Sequence, residues 1–303
     1  MNEVLVSVVV PTFNRANYLG RSIDSALVSC RGVAHEIIVV DDLSTDHTAE
    51  VVSAYDPGVV KYLRCESKQG GGGARNVGIA AASGEFIAFL DSDTIWAPDK
   101  IQRQLKVLES TSCRVDGVYS LVRKVDPDGR EIEVFPRKIH SENVFMNLLV
   151  DNFIDTPSAV VRSEVARDIG GFDPSIPRFQ DWEFFLRASQ KFELIGIDEV
   201  LLDSIELPDS ISKNDAARVT ALKRIFERHY SPGIVSHANY RRMIVKIVNA
   251  MNICGHSAAG RDFIRSTSLS AVEKFLLSFS TLIPISAVKW LNHVRKGLLS
   301  RVR

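Results

Sequence analysis

The sequence predicts an α/β chain built on a mostly parallel, doubly wound sheet flanked by helices, with a helical extension at its C-terminal end. Three observations carry that prediction. Four mainly apolar runs read as strands: residues 4–10, nearly continuous and β-branched, 36–40 and 86–90 have the pattern of buried strands, and 59–63 is a further strand. The segments between them have helical spacing or helix-start residues, so β and α alternate over about the first 95 residues. Beyond about residue 214 the pattern is helical almost throughout.

Residues 4–10 form the first strand, which Pro11 is expected to stop, and Leu19, Ile23, Ala26 and Leu27 give residues 16–30 an apolar helical face. Residues 36–40 form a second strand running into Asp41 and Asp42. Ser44 or Thr45 is expected to cap a helix over 46–54, and 59–63 form a third strand. The run Gly70–Gly71–Gly72–Gly73 reads as a mobile loop, 74–82 as a helix and 86–90 as a fourth strand ending at Asp91. A helix over 98–109 follows, then strands 117–125 and 131–135 joined by the Asp126-Pro127-Asp128-Gly129 turn, read together as a hairpin-like insertion. Helices at 143–150, 163–169 and 181–190 and a short strand at 159–162 complete this part. A boundary is expected at 207–214, giving a domain of residues 1–210, with halves 1–95 and 96–210, and a helical, basic extension of 211–303.

Composition removes several classes of protein. With 45% apolar residues the chain can bury a full core. Its formal charge is zero, yet residues 241–303 hold eleven Lys/Arg against Asp262 and Glu273, about +9, which leaves about −9 for the rest. The motif-bearing part is therefore acidic, and nucleic acid is not an expected partner. Cys30, Cys65, Cys113 and Cys254 lack paired spacing and read as reduced packing residues. The N-terminus lacks the basic-then-apolar pattern of a signal peptide, and residues 275–288, interrupted by Pro284, are too short to span a bilayer. A cytoplasmic chain is expected.

The chemistry is expected at the carboxyl ends of the strands, where ligands of such sheets bind. Asp91-Ser92-Asp93 places two carboxylates two residues apart, and an extended backbone would point them to one side. Hard oxygen ligands suit Mg²⁺ or Mn²⁺, which keep waters and accept diphosphate oxygens. Asp42 could accept hydrogen bonds from a base or ribose, and the glycine run leads into Arg75, whose guanidinium could meet a phosphate. The glycines fit neither a P-loop nor G-x-G-x-x-G. Gln180-Asp181-Trp182-Glu183 opens a helix with a carboxylate able to act as cap or as general base.

The motifs Val6-Ser7-Val8-Val9-Val10-Pro11-Thr12-Phe13-Asn14-Arg15, Glu36-Ile37-Ile38-Val39-Val40-Asp41-Asp42-Leu43-Ser44-Thr45-Asp46, Ala74-Arg75-Asn76-Val77-Gly78 and Phe89-Leu90-Asp91-Ser92-Asp93 occur in an order that resembles the family 2 glycosyltransferases. Gly170-Gly171-Phe172-Asp173 and Gln180-Asp181-Trp182 continue the likeness, which covers about residues 4–205. The resemblance implies a GT-A fold, a nucleotide-diphospho-sugar donor such as a UDP-sugar, and inversion at the anomeric carbon. It also implies roles: Pro11, Thr12 and Phe13 line the base pocket, Asp42 bonds the nucleobase, Arg75 and Ser92 lie near the nucleotide, and Asp91 and Asp93 hold ribose and a divalent metal, Mn²⁺ or Mg²⁺. Asp181 matches the catalytic base. Two positions depart from the family: Gln180 stands where Glu is usual, and Thr94 where an acid often follows the metal motif. A neutral Gln180 removes a like charge beside Asp181 and is expected to weaken the base.

Residues 275–303 mix apolar side chains with Lys289, Arg295, Lys296, Arg301 and Arg303. They suit either a peripheral contact with an anionic membrane face or packing on the domain or on a second copy of the chain. The expected activity is sugar transfer to a glycan or lipid-linked acceptor in cell-surface polysaccharide synthesis. The alternative is a non-catalytic nucleotide-sugar-binding or scaffold protein.

Overall fold

A computed structural model of the chain describes residues 4–110, 114–207, 215–231 and 233–280. Cys113 and residues 281–303 of the basic segment lie outside the described residues. The chain divides into two compact units, one of residues 1–175 and 180–210, the other of 176–179 and 211–303.

The first unit holds a nine-stranded sheet with the order β3-β2-β1-β4-β8-β6-β9-β5, and β7 pairs with β6. β1 (Val6–Thr12), β2 (His35–Asp41), β3 (Val60–Arg64) and β4 (Phe86–Phe89) are parallel. β8 (Val160–Arg162) turns the direction, antiparallel to both β4 and β6 (Gly117–Val125). β6 runs parallel to β9 (Leu194–Ile205), and β5 (Thr94–Trp96) and β7 (Glu131–Phe135) are antiparallel edges. The first half is thus the predicted βα alternation, with α1 (Ala16–Ser29), α2 (Thr48–Ser53) and α3 (Gly70–Ala81) as its connections. α4 (Lys100–Leu108), α5 (Val144–Leu148), α6 (Ser163–Asp168) and α7 (Gln180–Ser189) belong to the second half.

Both faces of β1, β2 and β4 are buried, which is why their sequences are largely apolar rather than alternating, whereas β3 at the sheet's edge exposes Lys61 and Arg64. Val6, Val8 and Val10 join Leu19, Ile23 and Ala26 of α1 in one core layer. Val9 faces the other way, toward α3. A Cβ at Gly78 would lie 2.4 Å from Val9 Cγ1, so the helix reaches the sheet only because residue 78 is glycine. At the sheet's amino end, buried Glu36 accepts from Ser7 Oγ at 2.6 Å, from Ser83 N and Oγ at 2.7 Å and from Lys61 Nζ at 2.5 Å. Burial alone would raise its pKa; these donors more than offset that and hold it down to about 2.

Several expectations are corrected. Pro11 does not end β1 but pairs with Val40 inside it. Odd residues of β1 turn their polar backbone atoms toward β4, whose pairing ends at Val9, so the missing N–H of Pro11 costs no ladder bond. The glycine run is not a loop but the first turn of α3. Neither Ser44 nor Thr45 caps α2: Asp46 accepts from Thr48 N and from Ala16 N at 3.1 Å, serving the starts of α2 and α1 together. Strands 117–125 and 131–135 are not an insertion, since β6 lies within the sheet between β8 and β9. β5 and β9 were not predicted at all.

The second unit contains α8 (Asp215–His229), α9 (His237–Ile253), α10 (Ser257–Ser266) and α11 (Ala271–Ser280). Ser236 caps α9 by accepting from Asn239 N at 3.2 Å. No helix of the described residues is long and apolar enough to cross a membrane.

Candidate active site

The carboxyl ends of β1, β2 and β4 lie side by side, and the polar residues that follow each strand gather there. At the end of β1, Thr12 is buried and its hydroxyl has no partner among the described residues, while Phe13 is 44% exposed. Pro11 is half-buried between them and the core. Lys68 Nζ lies 2.7 Å from the centre of the Phe13 ring.

At the end of β2 the two acids separate. Asp41 is fully buried, accepting from Ser44 N at 2.8 Å and Tyr62 OH at 2.5 Å. Asp42 accepts from Gln69 N at 2.6 Å and Gly70 N at 2.9 Å, and pairs with Lys68 at 3.2 Å. Its carboxylate thus caps α3, satisfying amide groups that a helix start leaves open, with a favourable dipole. The glycines admit a second neighbour: a Cβ at Gly72 would lie 3.1 Å from the Gln180 carboxamide, which rests against this first turn.

Arg75, one turn further along α3, gives Nη2 to Asp91 Oδ1 at 2.5 Å and sits 5.4 Å from the Phe172 ring centre. Its Nε is buried without a partner among the described residues. Asp91-Ser92-Asp93 is not extended as the sequence predicts. Thr94 N donates to Asp91 O at 3.0 Å, so residues 91–94 form a tight turn between β4 and β5, with Ser92 buried in it. Burial is the main influence on Asp93 and the charge of Asp91 adds to it, raising its pKa to about 6 against the opposing pull of Arg15 and Arg75.

Across the site, α7 begins with Gln180 and Asp181. Asp181 accepts from Asn152 Nδ2 on Oδ2 and from Trp182 N on Oδ1, each at 2.8 Å. Burial raises its pKa; those two bonds and Arg75 oppose the rise, and Asp91 adds to it. The expected weakening through neutral Gln180 counted one missing charge only, whereas burial supplies the rise here. The helix is anchored behind the base: Trp182 Nε1 donates to Leu148 O at 2.7 Å, and buried Glu183 holds Arg187, which donates to Gly171 O at 2.7 Å. Asn76 of α3 ties in the same turn, bonding Phe172 N and O, each at 2.7 Å.

The structure therefore brings Arg75, Asp91, Asp93 and Asp181 into one electrostatic neighbourhood, joined by Asn152 and by Asp155, whose charge couples to Asp181 and Asp91. Thr12, Phe13 and Asp42 line the adjoining end of the sheet. Asn152, Asp155 and Lys68 had no signal in the sequence, because none lies at a strand end or in a recognisable motif.

No group of three or more His, Cys, Asp or Glu able to hold a metal ion exists among the described residues. Mg²⁺ and Mn²⁺ sites in nucleotide enzymes need fewer protein ligands, taking one or two carboxylates with phosphate oxygens and waters. Asp93, desolvated and beside a second carboxylate, is the kind of group a divalent cation would stabilise, so the residues fit.

The glycosyl transferase family 2 model matches residues 7–170. An amylovoran biosynthesis glycosyltransferase of Erwinia amylovora, AmsB, is 33% identical over 209 residues, 65% of this chain and 68% of that one. An Escherichia coli protein described as a UDP-Glc:alpha-D-GlcNAc-diphosphoundecaprenol beta-1,3-glucosyltransferase, WfgD, is 33% identical over 148 residues, 48% of this chain and 57% of that one. Several other relatives are longer, the chain spanning only 33% to 39% of their length. Among solved structures, Staphylococcus aureus TarS 1-349 in complex with UDP-GlcNAc superposes with a TM-score of 0.62 at 20% identity, covering 92% of this chain and 80% of that one. The mannosyltransferase PcManGT of Pyrobaculum calidifontis, in complex with GDP-Man and Mn²⁺, gives 0.57 at 18% identity, covering 91% and 79%. At such identities the likeness is one of fold, the GT-A fold.

Proposed function

We propose that this chain, which belongs to glycosyl transferase family 2, transfers a sugar from a nucleotide-diphospho-sugar to a glycan or lipid-linked acceptor with inversion, as a step in polysaccharide synthesis. The observation that carries the reading is Asp181: a carboxylate with its pKa raised, oriented by two hydrogen bonds, set across from the Arg75–Asp91 pair at the carboxyl end of the sheet.

In this mechanism Asp181 takes the proton of an acceptor hydroxyl as its oxygen forms the new bond to the anomeric carbon. The bond from that carbon to the diphosphate oxygen breaks with its electron pair, and the nucleoside diphosphate leaves. Phe13, exposed beside Thr12 with its orphaned hydroxyl, offers a base-stacking surface and a hydrogen-bonding group. Asp42 holds the start of α3 and, through it, Arg75, which faces the diphosphate. Asp91 and Asp93 would hold the divalent metal, which when bound offsets charge on the diphosphate. UDP-sugars are the first donors to test, since WfgD is described as using UDP-Glc. Its lipid-linked acceptor also fits a basic C-terminal segment working at an anionic membrane face.

The test is turnover. Purified chain is incubated with a panel of UDP-, GDP- and TDP-sugars, with Mn²⁺, Mg²⁺ or EDTA, beside Asp181→Asn and Asp93→Ala. Consumption of one donor, lost in EDTA and reduced at least ~10²-fold in Asp181→Asn, is the expected result. Donor binding without turnover in any combination, unchanged by both substitutions, would replace the enzyme by a nucleotide-sugar-binding protein.

A further inference from the structure

The loop before the 3₁₀ turn Thr156–Ser158 carries two polar side chains next to the base. Asn152 is committed to Asp181. Asp155 is committed to nothing: its backbone carbonyl accepts from Ser158 N at 3.0 Å and Ser158 Oγ at 2.7 Å, yet no described residue donates a hydrogen bond to its carboxyl. Its backbone is held firmly three residues after Asn152, which bonds the base, and Asp181, Lys124 of β6, Asp91 and Arg75 are the charges its carboxyl feels.

We propose that Asp155 is an acceptor-binding residue, whose carboxyl takes the hydroxyl of the acceptor sugar next to the one that Asp181 deprotonates. The inference rests on the transferase reading and deepens it. The carboxyl is half-buried and no described residue donates to it, so a ligand hydroxyl in the filled site would give it the partner it lacks. Its chemistry matches a sugar. Burial, followed by the charge of Asp181, raises the Asp155 pKa to about 7, so near neutrality much of it is a protonated acid that can both donate and accept. A sugar hydroxyl does both as well. The neutral form also adds no second negative charge beside the base.

The experiment uses the full chain, the nucleotide sugar it consumes, and octyl glycosides as acceptors, each intact or lacking the hydroxyl next to the attacked one. Asp155→Ala should raise the acceptor KM about tenfold, the equivalent of one hydrogen bond, with donor KM within about twofold of the parent. The deoxy acceptor should suffer the same loss with the parent chain and no further loss with Asp155→Ala. Asp155→Asn, which keeps one donor and one acceptor, should retain most of the affinity and covers the case in which the alanine variant fails to fold. An unchanged acceptor KM in the variants, or equal losses for donor and acceptor, overturns the role of Asp155 while leaving the transferase standing. If the parent consumes no nucleotide sugar, the transferase reading fails and this inference falls with it.

Discussion

Lys100 is fully buried, its Nζ donating to Gln104 Oε1 at 2.7 Å and lying 4.1 Å from the centre of the Trp96 ring. Burial lowers its pKa from 10.5 to about 7, with a small opposing influence from Cys30. Below about pH 7 folded and unfolded chains both carry the proton, and the whole cost of burying the charge is felt. Between about 7 and 10.5 the unfolded chain holds a proton the folded one has released, so stability rises with pH across that window. Lys100→Met should therefore be stabilising at pH 6.5 by on the order of 1–4 kcal/mol, a gain that shrinks toward zero near pH 10. Urea midpoints of variant and parent along a pH series measure it, and a pH-independent difference would refute the assignment. Cys30 behaves as the sequence suggests: burial drives its thiol to about 12, which makes it a packing residue rather than a nucleophile.

α3 is the element on which the donor side depends, because it carries Arg75 at one point and rests its first turn on Asp42 and Gln180. Its position against the sheet is set by Gly78. In Gly78→Ala the new Cβ would meet Val9 Cγ1 at 2.4 Å and Cγ2 at 3.2 Å, within a two-sided core that cannot yield. A loss of about 1–3 kcal/mol is expected, the usual cost of overpacking. Because the severest clash is with Val9, with Val40 Cγ2 next at 3.3 Å, Val9→Ala should recover part of the loss, making the double variant more stable than the sum of single losses allows. Thermal melts of the four proteins decide this, and strict additivity would mean that Gly78 is needed for another reason. The glycine run itself was readable only as flexibility: four glycines favour loop over helix by about 1 kcal/mol each. The helix forms because Asp42, 28 residues away, satisfies its first amides and because the Gln180 side chain occupies the space a Cβ would need.

For the molecule as a whole, the uneven charge is the property most open to test. Residues 241–303 carry about +9, and α11 shows Val272 and Leu276 to solvent at 68% and 56% exposure. If this part contacts an anionic membrane face, the full chain should co-sediment with vesicles containing ~30% phosphatidylglycerol at 50 mM salt, and release should be nearly complete at 0.5 M, where screening is strong. Binding should also fall at least tenfold when residues 281–303 are removed. Equal binding to neutral vesicles, or none to anionic ones, would leave the basic segment to another role.

Much of the first half was legible because its signals are local. A β-branched run with both faces apolar must be a buried strand, helical spacing between such runs forces parallel pairing, and Asp41, Asp42, Asp91 and Asp93 then fall at one end of the sheet. The site's second half was less legible. β9 reads Leu-Ile-Gly-Ile-Asp-Glu-Val-Leu-Leu-Asp-Ser-Ile, without steady alternation, and becomes a strand because β6 offers a ladder that shifts register to accommodate it. Asp181 could be named from its motif, but its partners could not. Order along the chain determined β1 to β4 and which carboxylates follow them. Tertiary structure alone decided that Asp42 caps a glycine helix, that the Asp91–Asp93 segment turns, and that Asn152 and Asp155 stand beside the base. Those outcomes depend on burial and on hydrogen bonds between residues distant in sequence, which no local pattern encodes.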